Sequence, residues 1–200
     1  MPHHSKYKWS EAAGRYRGAQ GLFVSFGRVR SFLDDTLDSN EKGVVRLGEQ
    51  LRKREITLGE WQIGMRDNLK SIHLTSGALA QGGWAQMSPA DFGRVGTRLK
   101  EQYQFLGKFA REIEGGLPLD GNFRNRVKLY AQSGRVSYDA IQRAEMLKRG
   151  MKEEKNILHP ADHCVDCLQQ AALGWVPIGT LTLIGQRRCK SNDRCTKEFR

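Results

Sequence analysis

The chain has 200 residues, of which 38% are hydrophobic and 28% charged, and its formal net charge is +11 at pH 7. This length suits one domain with a small appendix, and no stretch reaches the roughly 20 apolar residues of a membrane span, which argues against a membrane partner. The positive charge favours contact with nucleic acid or an acidic protein surface, although a well-solvated basic surface accounts for the same excess.

Residues 1–25 are predicted to form a small N-terminal segment. Residues 1–13 carry little apolar pattern and are expected to be loosely structured, with Trp9 as the one strong apolar anchor. From Arg15 to Val24, two short β-prone runs flank a turn that contains glycine, which predicts a β-hairpin. The polar N-terminus lacks the apolar stretch of a secretory signal, so we expect synthesis in the cytosol.

Residues 26–150 are predicted to form an α-helical body, because apolar residues recur there at three- and four-residue steps. Ser25 is a suitable N-cap for a first helix that reaches Leu37. A separate helix is predicted over about residues 40–53, with an apolar face and a charged outer face. We therefore expect a mainly α fold, with a helical body between the small N-terminal hairpin and a small C-terminal module.

Capping signals mark the starts of the next helices. Thr57 and Glu60 match a capping box, and the helix they open has a core-facing stripe. That stripe consists of Leu58, Trp61, Met65, Leu69 and Ile72. A further helix is predicted to begin at Ser88, with this serine as N-cap, Pro89 in the first turn and Asp91 favoured by the helix dipole. A last long helix is predicted from about Asn122 to Arg149.

Residues 151–200 are predicted to form a small cysteine-rich module. All four cysteines lie there, at Cys164, Cys167, Cys189 and Cys195. The first two have C-x-x-C spacing, so their thiolates can face one point, and the second pair would complete a tetrahedral zinc site. The second pair is separated by five residues, which requires a longer turn. Substitute ligands close by in the sequence are Asp193, His163 and His159.

Two other states of the cysteines remain open at this point, reduced structural thiols and disulfides. A cytosolic origin favours free thiols or metal thiolates over disulfides. The apolar, turn-rich segment 174–185 between the cysteine pairs is predicted to be a short hairpin.

Basic residues on the last helix and in the tail are candidate contacts for phosphates or an acidic partner. They are Lys128, Arg135, Arg149, Arg187, Arg188, Lys190 and Arg194. On the helix, a solvated face is the more ordinary interpretation.

Established catalytic motifs are missing from the sequence. There is no P-loop, no H-E-x-x-H, no G-x-S-x-G and no glycine-rich dinucleotide fingerprint. His73 lies within a predicted helix and is interpreted as a partly buried or surface histidine. We therefore expect no enzymatic activity.

The C-terminal part of the chain resembles the end of tailed-phage minor head proteins of the Mu F-like morphogenesis family. The resemblance rests on Leu158–Cys167, Trp175–Thr180 and the ending Cys189–Cys195, and extends weakly to Arg126–Tyr138. It covers about residues 121–200, whereas the N-terminal half is only compatible with it. One departure is Asp193, which stands where relatives tend to have a cysteine. Two explanations are open: Cys189 takes over that ligand role, or the site has lost its metal and kept the fold.

The resemblance implies a virion structural protein that is made in the bacterial cytoplasm and incorporated near the portal during head assembly. Portal or capsid proteins are then the expected partners, with packaged DNA as a further contact. A homo-oligomer within the virion is compatible with this role. The alternative function is that of a zinc-knuckle regulator that binds nucleic acid.

Overall fold

The computed structural model describes residues 7–10, 12 and 15–200, and in this part of the chain the fold is mainly α, as predicted. The helices are α1 (Phe26–Arg52), α2 (Leu58–Gln81), α3 (Pro89–Glu114), α4 (Gly121–Gln132), α5 (Gly134–Lys148) and the short α6 (Val165–Ala172). Among the described residues, no helix is both long and apolar enough to span a bilayer.

Helix α1 is continuous, so the prediction of two helices with a boundary near residue 40 was wrong. The polar residues at that point do not interrupt the helix, because Asn40 donates its side-chain amide to the carbonyl of Thr36 at 2.8 Å. The buried stripe continues on both sides of this point through Leu37 and Val44. Ser25 caps the helix as predicted.

The capping box predicted at Thr57 is present, and Ser88 caps α3 as predicted. The amide of Glu60 donates to the Thr57 hydroxyl at 3.2 Å, and the Glu60 carboxylate accepts from the Thr57 amide at 2.7 Å. Asp91 and Ser88 make the same reciprocal pair at the start of α3. Asp91 also accepts from the buried side chain of Gln81 at 2.8 Å, so this cap joins the end of α2 to the start of α3.

The helix predicted from Asn122 to Arg149 is divided at Ser133 into α4 and α5. The amide and the hydroxyl of Ser133 both donate to the carbonyl of Tyr130, which ends the regular four-residue hydrogen-bond pattern. The next residue, Gly134, lies against α2. A Cβ atom there would be 2.5 Å from the Ser76 hydroxyl oxygen, so only glycine allows this close approach. The break therefore lets α5 lie along α2.

Helix α2 is the centre of the core and contacts α1, α3, α4 and α5. Trp61 is fully buried and packs edge-on against Phe109, with ring centroids 5.6 Å apart. The fully buried aliphatic and thioether side chains of α2 are Met65, Leu69, Ile72 and Leu79. These positions include most of the stripe predicted from the sequence.

His73 is fully buried, so its interpretation as a partly buried or surface histidine was wrong. Its ring nitrogens are hydrogen-bonded to the hydroxyls of Ser137 at 2.7 Å and Ser133 at 3.0 Å. Burial, with Arg98 nearby, lowers the pKa of His73 to about 4. The neutral ring therefore joins α2 to the start of α5.

The N-terminal strands form a three-stranded antiparallel sheet in the order β1 (Tyr7–Ser10), β2 (Arg15–Gly18), β3 (Phe23–Val24). The predicted hairpin corresponds to β2 and β3. Strand β1 corrects the expectation that residues 1–13 are loose, while residues 1–6 and the side chain of Trp9 lie outside the described residues. Tyr16 anchors the sheet by donating to the carbonyl of Ala80 at 3.0 Å.

The C-terminal strands form a second antiparallel sheet, with β4 (Glu153–Ile157) between β5 (Val176–Pro177) and β6 (Thr196–Phe199). The prediction of a hairpin over residues 174–185 was wrong, because β5 pairs with β4 and not with a second strand of its own segment. The rest of the segment folds as turns around buried carboxylates. Glu154 accepts from the amides of Gly179 and Leu181, each at 3.0 Å.

Buried charges attach this C-terminal part to α5. Arg143 donates two hydrogen bonds to the Glu154 carboxylate, both at 3.1 Å, and Lys197 donates to Asp139 at 2.8 Å. On the side of α1, Arg30 donates to the carbonyl of Cys195 at 3.3 Å. The cysteine region therefore packs directly on the helical body.

Candidate metal centre

The C-x-x-C pair lies at the start of α6. Cys164 is the N-cap residue and Cys167 is in the first turn, so the two sulfur atoms face the same side at 3.5 Å. Strand β4 supports this turn, because the buried side chain of Asn156 donates to the carbonyl of Cys167 at 3.3 Å. The helix start and the central strand thus fix the position of Cys167.

Cys189 reaches the pair from a turn that precedes a short 3-10 helix at Lys190–Asn192. Its sulfur lies 3.5 Å from that of Cys167. The amide of Arg188 donates to the Asp166 carboxylate at 2.8 Å, which joins this turn to α6. The 3-10 helix also supplies the longer turn that the five-residue spacing between Cys189 and Cys195 requires.

Cys195 and His163 approach Cys167 from the other side. The sulfur of Cys195 is 3.9 Å from Nδ1 of His163, whose Nε2 lies 2.7 Å from the carbonyl oxygen of His159. Because a carbonyl only accepts, Nε2 carries the proton and Nδ1 keeps its lone pair for the cluster. A backbone hydrogen bond of this kind is the usual way in which proteins orient a histidine ligand.

The donor atoms form two groups of three that share Cys167, and within each group all atoms lie within 4.8 Å of one another. One group is Cys164, Cys167 and Cys189; the other is His163, Cys167 and Cys195. We call these five residues the donor cluster. Within each group, the three donor atoms are close enough together to hold a metal ion.

The sulfur spacing fits a metal thiolate centre. All four cysteines are free, and the 3.5 Å separations far exceed a disulfide bond of about 2.05 Å. A tetrahedral zinc ion with sulfur ligands at about 2.3 Å places neighbouring sulfur atoms about 3.8 Å apart. The thiols of Cys164, Cys167 and Cys189 therefore have the spacing that zinc requires, whereas Cys195 lies in the second group of donors and has to move closer to Cys164 and Cys189 to complete the tetrahedron.

Of the three substitute ligands, His163 belongs to the donor cluster. Asp193 is buried beside it and supports the backbone, because its carboxylate accepts from the amides of Cys195 at 3.1 Å and Gly185 at 3.3 Å. His159 is hydrogen-bonded through Nε2 to the Thr196 hydroxyl at 2.7 Å and is in neither group of donors.

Arg187 is a member of this site that the sequence pattern did not reveal. Its guanidinium lies 3.5 Å from the Asp193 carboxylate and 3.9 Å from the sulfur of Cys167, with no exposure of the side chain. Burial acts to lower the pKa of Arg187, but Asp193 and Cys167 raise it above its ordinary value. A buried cation therefore lies next to the sulfur that the two donor groups share. Nothing in the local sequence distinguishes this arginine from Arg188.

The thiol pKa values shift in opposite directions. Burial, together with Asp193, raises the pKa of Cys195 to about 12, and burial also raises that of Cys189. For Cys164, burial acts upward, but hydrogen bonds from Cys167 and Cys189 lower the pKa to about 7. Metal binding has to displace the thiol protons, so its affinity must increase with pH.

The structure separates the candidate basic contacts into two sets. Arg135 and Arg187 are buried and paired with Asp34 and Asp193, so the prediction that they contact a partner was wrong. The side chain of Arg149 is one-tenth exposed and pairs with Glu145 at 3.2 Å, so the prediction that Arg149 contacts a partner was also wrong. The helical pattern did not distinguish inward from outward positions on α5.

Lys128 is partly exposed and lies 3.5 Å from Glu41. The exposed members of the basic set are Arg188, Lys190 and Arg194. Each of these three is the sequence neighbour of Cys189 or Cys195, so exposed positive charge lies next to the candidate metal centre.

No family model, curated protein or solved structure matches this chain. The site is therefore interpreted from its own residues and from the resemblance already described.

Proposed function

We propose that the protein is a structural component of a tailed-phage head that binds portal or capsid protein in the virion. One observation carries the proposal: the segments on which the resemblance rests, although separated in sequence, fold into one unit. Leu158–Cys167 leads into α6, Trp175–Thr180 contains β5, and Cys189–Cys195 closes the donor cluster. Because the three segments converge on one site, they support the proposal as one unit rather than as separate motifs.

Zinc is the metal in this proposal. Thiolate-rich tetrahedral sites select zinc among the common cellular metals. Cys164, Cys167, Cys189 and Cys195 are the proposed ligands, and His163 is oriented to replace Cys195 or to assist it. One ion bound there would hold α6, the turn at Cys189 and the final strand together, in a segment too short to build a large core of its own.

The partner contact in this proposal is electrostatic at the cysteine end of the molecule. Arg188, Lys190 and Arg194 are exposed and follow or precede the ligands Cys189 and Cys195 directly. The proposed metal centre holds these cations in fixed positions, where they meet an acidic surface of portal or capsid, or packaged DNA. Such a contact weakens as the salt concentration increases.

The proposal is tested by mass spectrometry of purified virions from the phage or lysogen that encodes the chain, with portal and major capsid protein as internal standards. We expect the chain in virions at a constant ratio to the portal. As a control, the virions are treated with nuclease and washed in high salt, which removes proteins that adhere through DNA alone.

The competing function is a regulator that binds nucleic acid. It is supported if the chain is absent from virions and the purified protein binds one DNA or RNA sequence with a steep salt dependence. A head protein shows weak binding without sequence preference. Genes for portal and terminase beside the coding sequence would support the head protein over the regulator.

A further inference from the structure

A groove between α2 and α3, away from the cysteines, has the properties of a docking site. Its volume is about 710 Å³, and its apolar lining is formed by Leu74, Phe92, Val95 and Leu99. Val95 is buried, but Phe92 is 45% exposed although it is a large hydrophobic residue. The apolar lining is therefore continuous with an exposed aromatic ring.

The edges of this groove are basic. Arg66 and Lys70 line it from α2, one helical turn apart, and Lys100 lines it from α3. None of the residues that line it is acidic. An apolar floor between cationic edges is complementary to a surface that is apolar in the middle and acidic at its sides.

Gly96 leaves room for a close approach. It lies in the interior of α3 and lines the groove, and a Cβ atom built there meets no heavy atom within 4 Å. A glycine in a helix interior weakens the helix, and no packing among the residues that the structure describes requires this one. Its position lets the backbone of another helix come close to α3.

We propose that this groove binds an acidic amphipathic helix of a partner protein, with the apolar face on Phe92 and Leu99 and its carboxylates against Arg66, Lys70 and Lys100. An amphipathic helix that lays its apolar face in a hydrophobic groove is a common mode of peptide recognition. The proposal does not depend on the metal centre or on the proposed function.

The groove favours a helix over nucleic acid. Two aromatic residues line the groove, Phe92 and Tyr103, and the Arg66 guanidinium covers the Tyr103 ring at 4.6 Å from the centroid, so of these two Phe92 alone is open to a base. The Tyr103 hydroxyl also donates to the carbonyl of Arg66 at 3.2 Å, which fixes the ring. The remaining lining is largely aliphatic, and single-stranded nucleic acid has no aliphatic face to cover it.

The probe is a synthetic helix of about 18 residues, or five turns, with leucine and phenylalanine on one face and glutamate on the other. Its binding to the full chain is followed by fluorescence anisotropy of a label on the peptide. A scrambled peptide of the same composition, which has no apolar face, is the matched ligand control. We expect the amphipathic peptide alone to bind.

Two pairs of variants locate the site. Replacing Arg66, Lys70 and Lys100 together by Glu is expected to weaken binding by about ten-fold or more, since three attractive contacts become repulsive. Replacing Lys42, Arg46 and Lys108, which are exposed outside the groove, by Glu makes the same change in net charge. This control should change affinity by no more than about two-fold at physiological salt, because distant charges are screened.

The second pair of variants changes the shape of the α3 surface and leaves the net charge of the protein unchanged. Gly96→Leu fills the groove, and because a side chain there meets open space, the protein should remain folded while binding is lost. Gly93→Leu adds the same side chain on α3 outside the groove lining and should bind normally. The proposal is overturned if both leucine variants bind alike, if scrambled and amphipathic peptides bind equally, or if a single-stranded oligonucleotide alone binds to this groove.

Discussion

Lys197 in the final strand donates a hydrogen bond to Asp139 of α5 at 2.8 Å, and both side chains are almost wholly removed from solvent. The same ammonium lies 3.6 Å from Glu154, which is held by Arg143. Two anions and two cations therefore share one buried interface between the cysteine region and the helical body. Because no member is exposed enough for water to replace a lost partner, the interface depends on all four.

We predict that Lys197→Met lowers the free energy of unfolding by about 3–5 kcal/mol, because it leaves Asp139 and Glu154 buried beside an apolar side chain. The control is Lys53→Met, which breaks an exposed ion pair with Glu55 and should cost less than about 1 kcal/mol. Urea unfolding of both variants gives the comparison. Equal losses would show that the buried network contributes no more than a surface pair.

We also predict a loss of stability in mild acid that comes from His73. Its pKa is about 4 in the folded protein against 6.5 for an ordinary histidine, so between these values the unfolded chain takes up a proton that the folded chain does not. Stability therefore falls as the pH decreases from 6.5 to about 4, by roughly 3 kcal/mol in total.

The control for this prediction is His73→Gln, which keeps a donor and an acceptor for Ser133 and Ser137 but does not titrate. Urea unfolding at several pH values between 4 and 7 should show a shallower dependence in the variant. The same slope in both proteins would assign the acid sensitivity to other groups.

For Trp61→Ala we predict a loss of about 3–5 kcal/mol, because the indole is fully buried among the aromatic rings of the core. Ile63→Ala, on the same helix but 64% exposed, should change stability by no more than about 0.5 kcal/mol. Thermal unfolding separates the two. An unchanged midpoint for the tryptophan variant would contradict the position of α2 at the centre of the core.

Cysteine replacements should have graded effects on metal binding. Cys167→Ser removes the sulfur common to both donor groups and should abolish binding, whereas His163→Ala removes a donor from one group and should weaken it less. The far-UV circular dichroism should retain most of its helical signal in both, because α1 to α5 have their own core. Loss of all helicity in Cys167→Ser would mean that the helical body does not fold without the cysteine region.

Where the sequence carries local signals, it predicts this fold well. Thr57 with Glu60 and Ser88 with Asp91 satisfy backbone groups within one turn, so the starts of α2 and α3 can be identified without knowledge of the rest of the chain. The break at Ser133 has no such signal. It depends on the contact of Gly134 with α2, which is distant in sequence.

The C-terminal sheet was not predicted because its central strand has no apolar alternation. The inward positions of β4 are Glu154 and Asn156. Glu154 accepts hydrogen bonds from Arg143, and the side-chain amide of Asn156 donates to the carbonyl of Cys167, so both depend on partners that are distant in sequence. The cysteine spacing did predict that the thiols converge. The spacing did not predict that Arg187 is buried in this site, because its pairing with Asp193 depends on the tertiary structure.

Whether the cysteine region is a zinc site is decided by the metal content of the purified full chain, measured by elemental analysis together with native mass spectrometry. The arrangement of the thiols around Cys167 predicts about one zinc ion per chain, lost on treatment with a strong chelator and absent in Cys167→Ser. Protein purified without chelators that contains no zinc, and takes up none when zinc is added under reducing conditions, would contradict it.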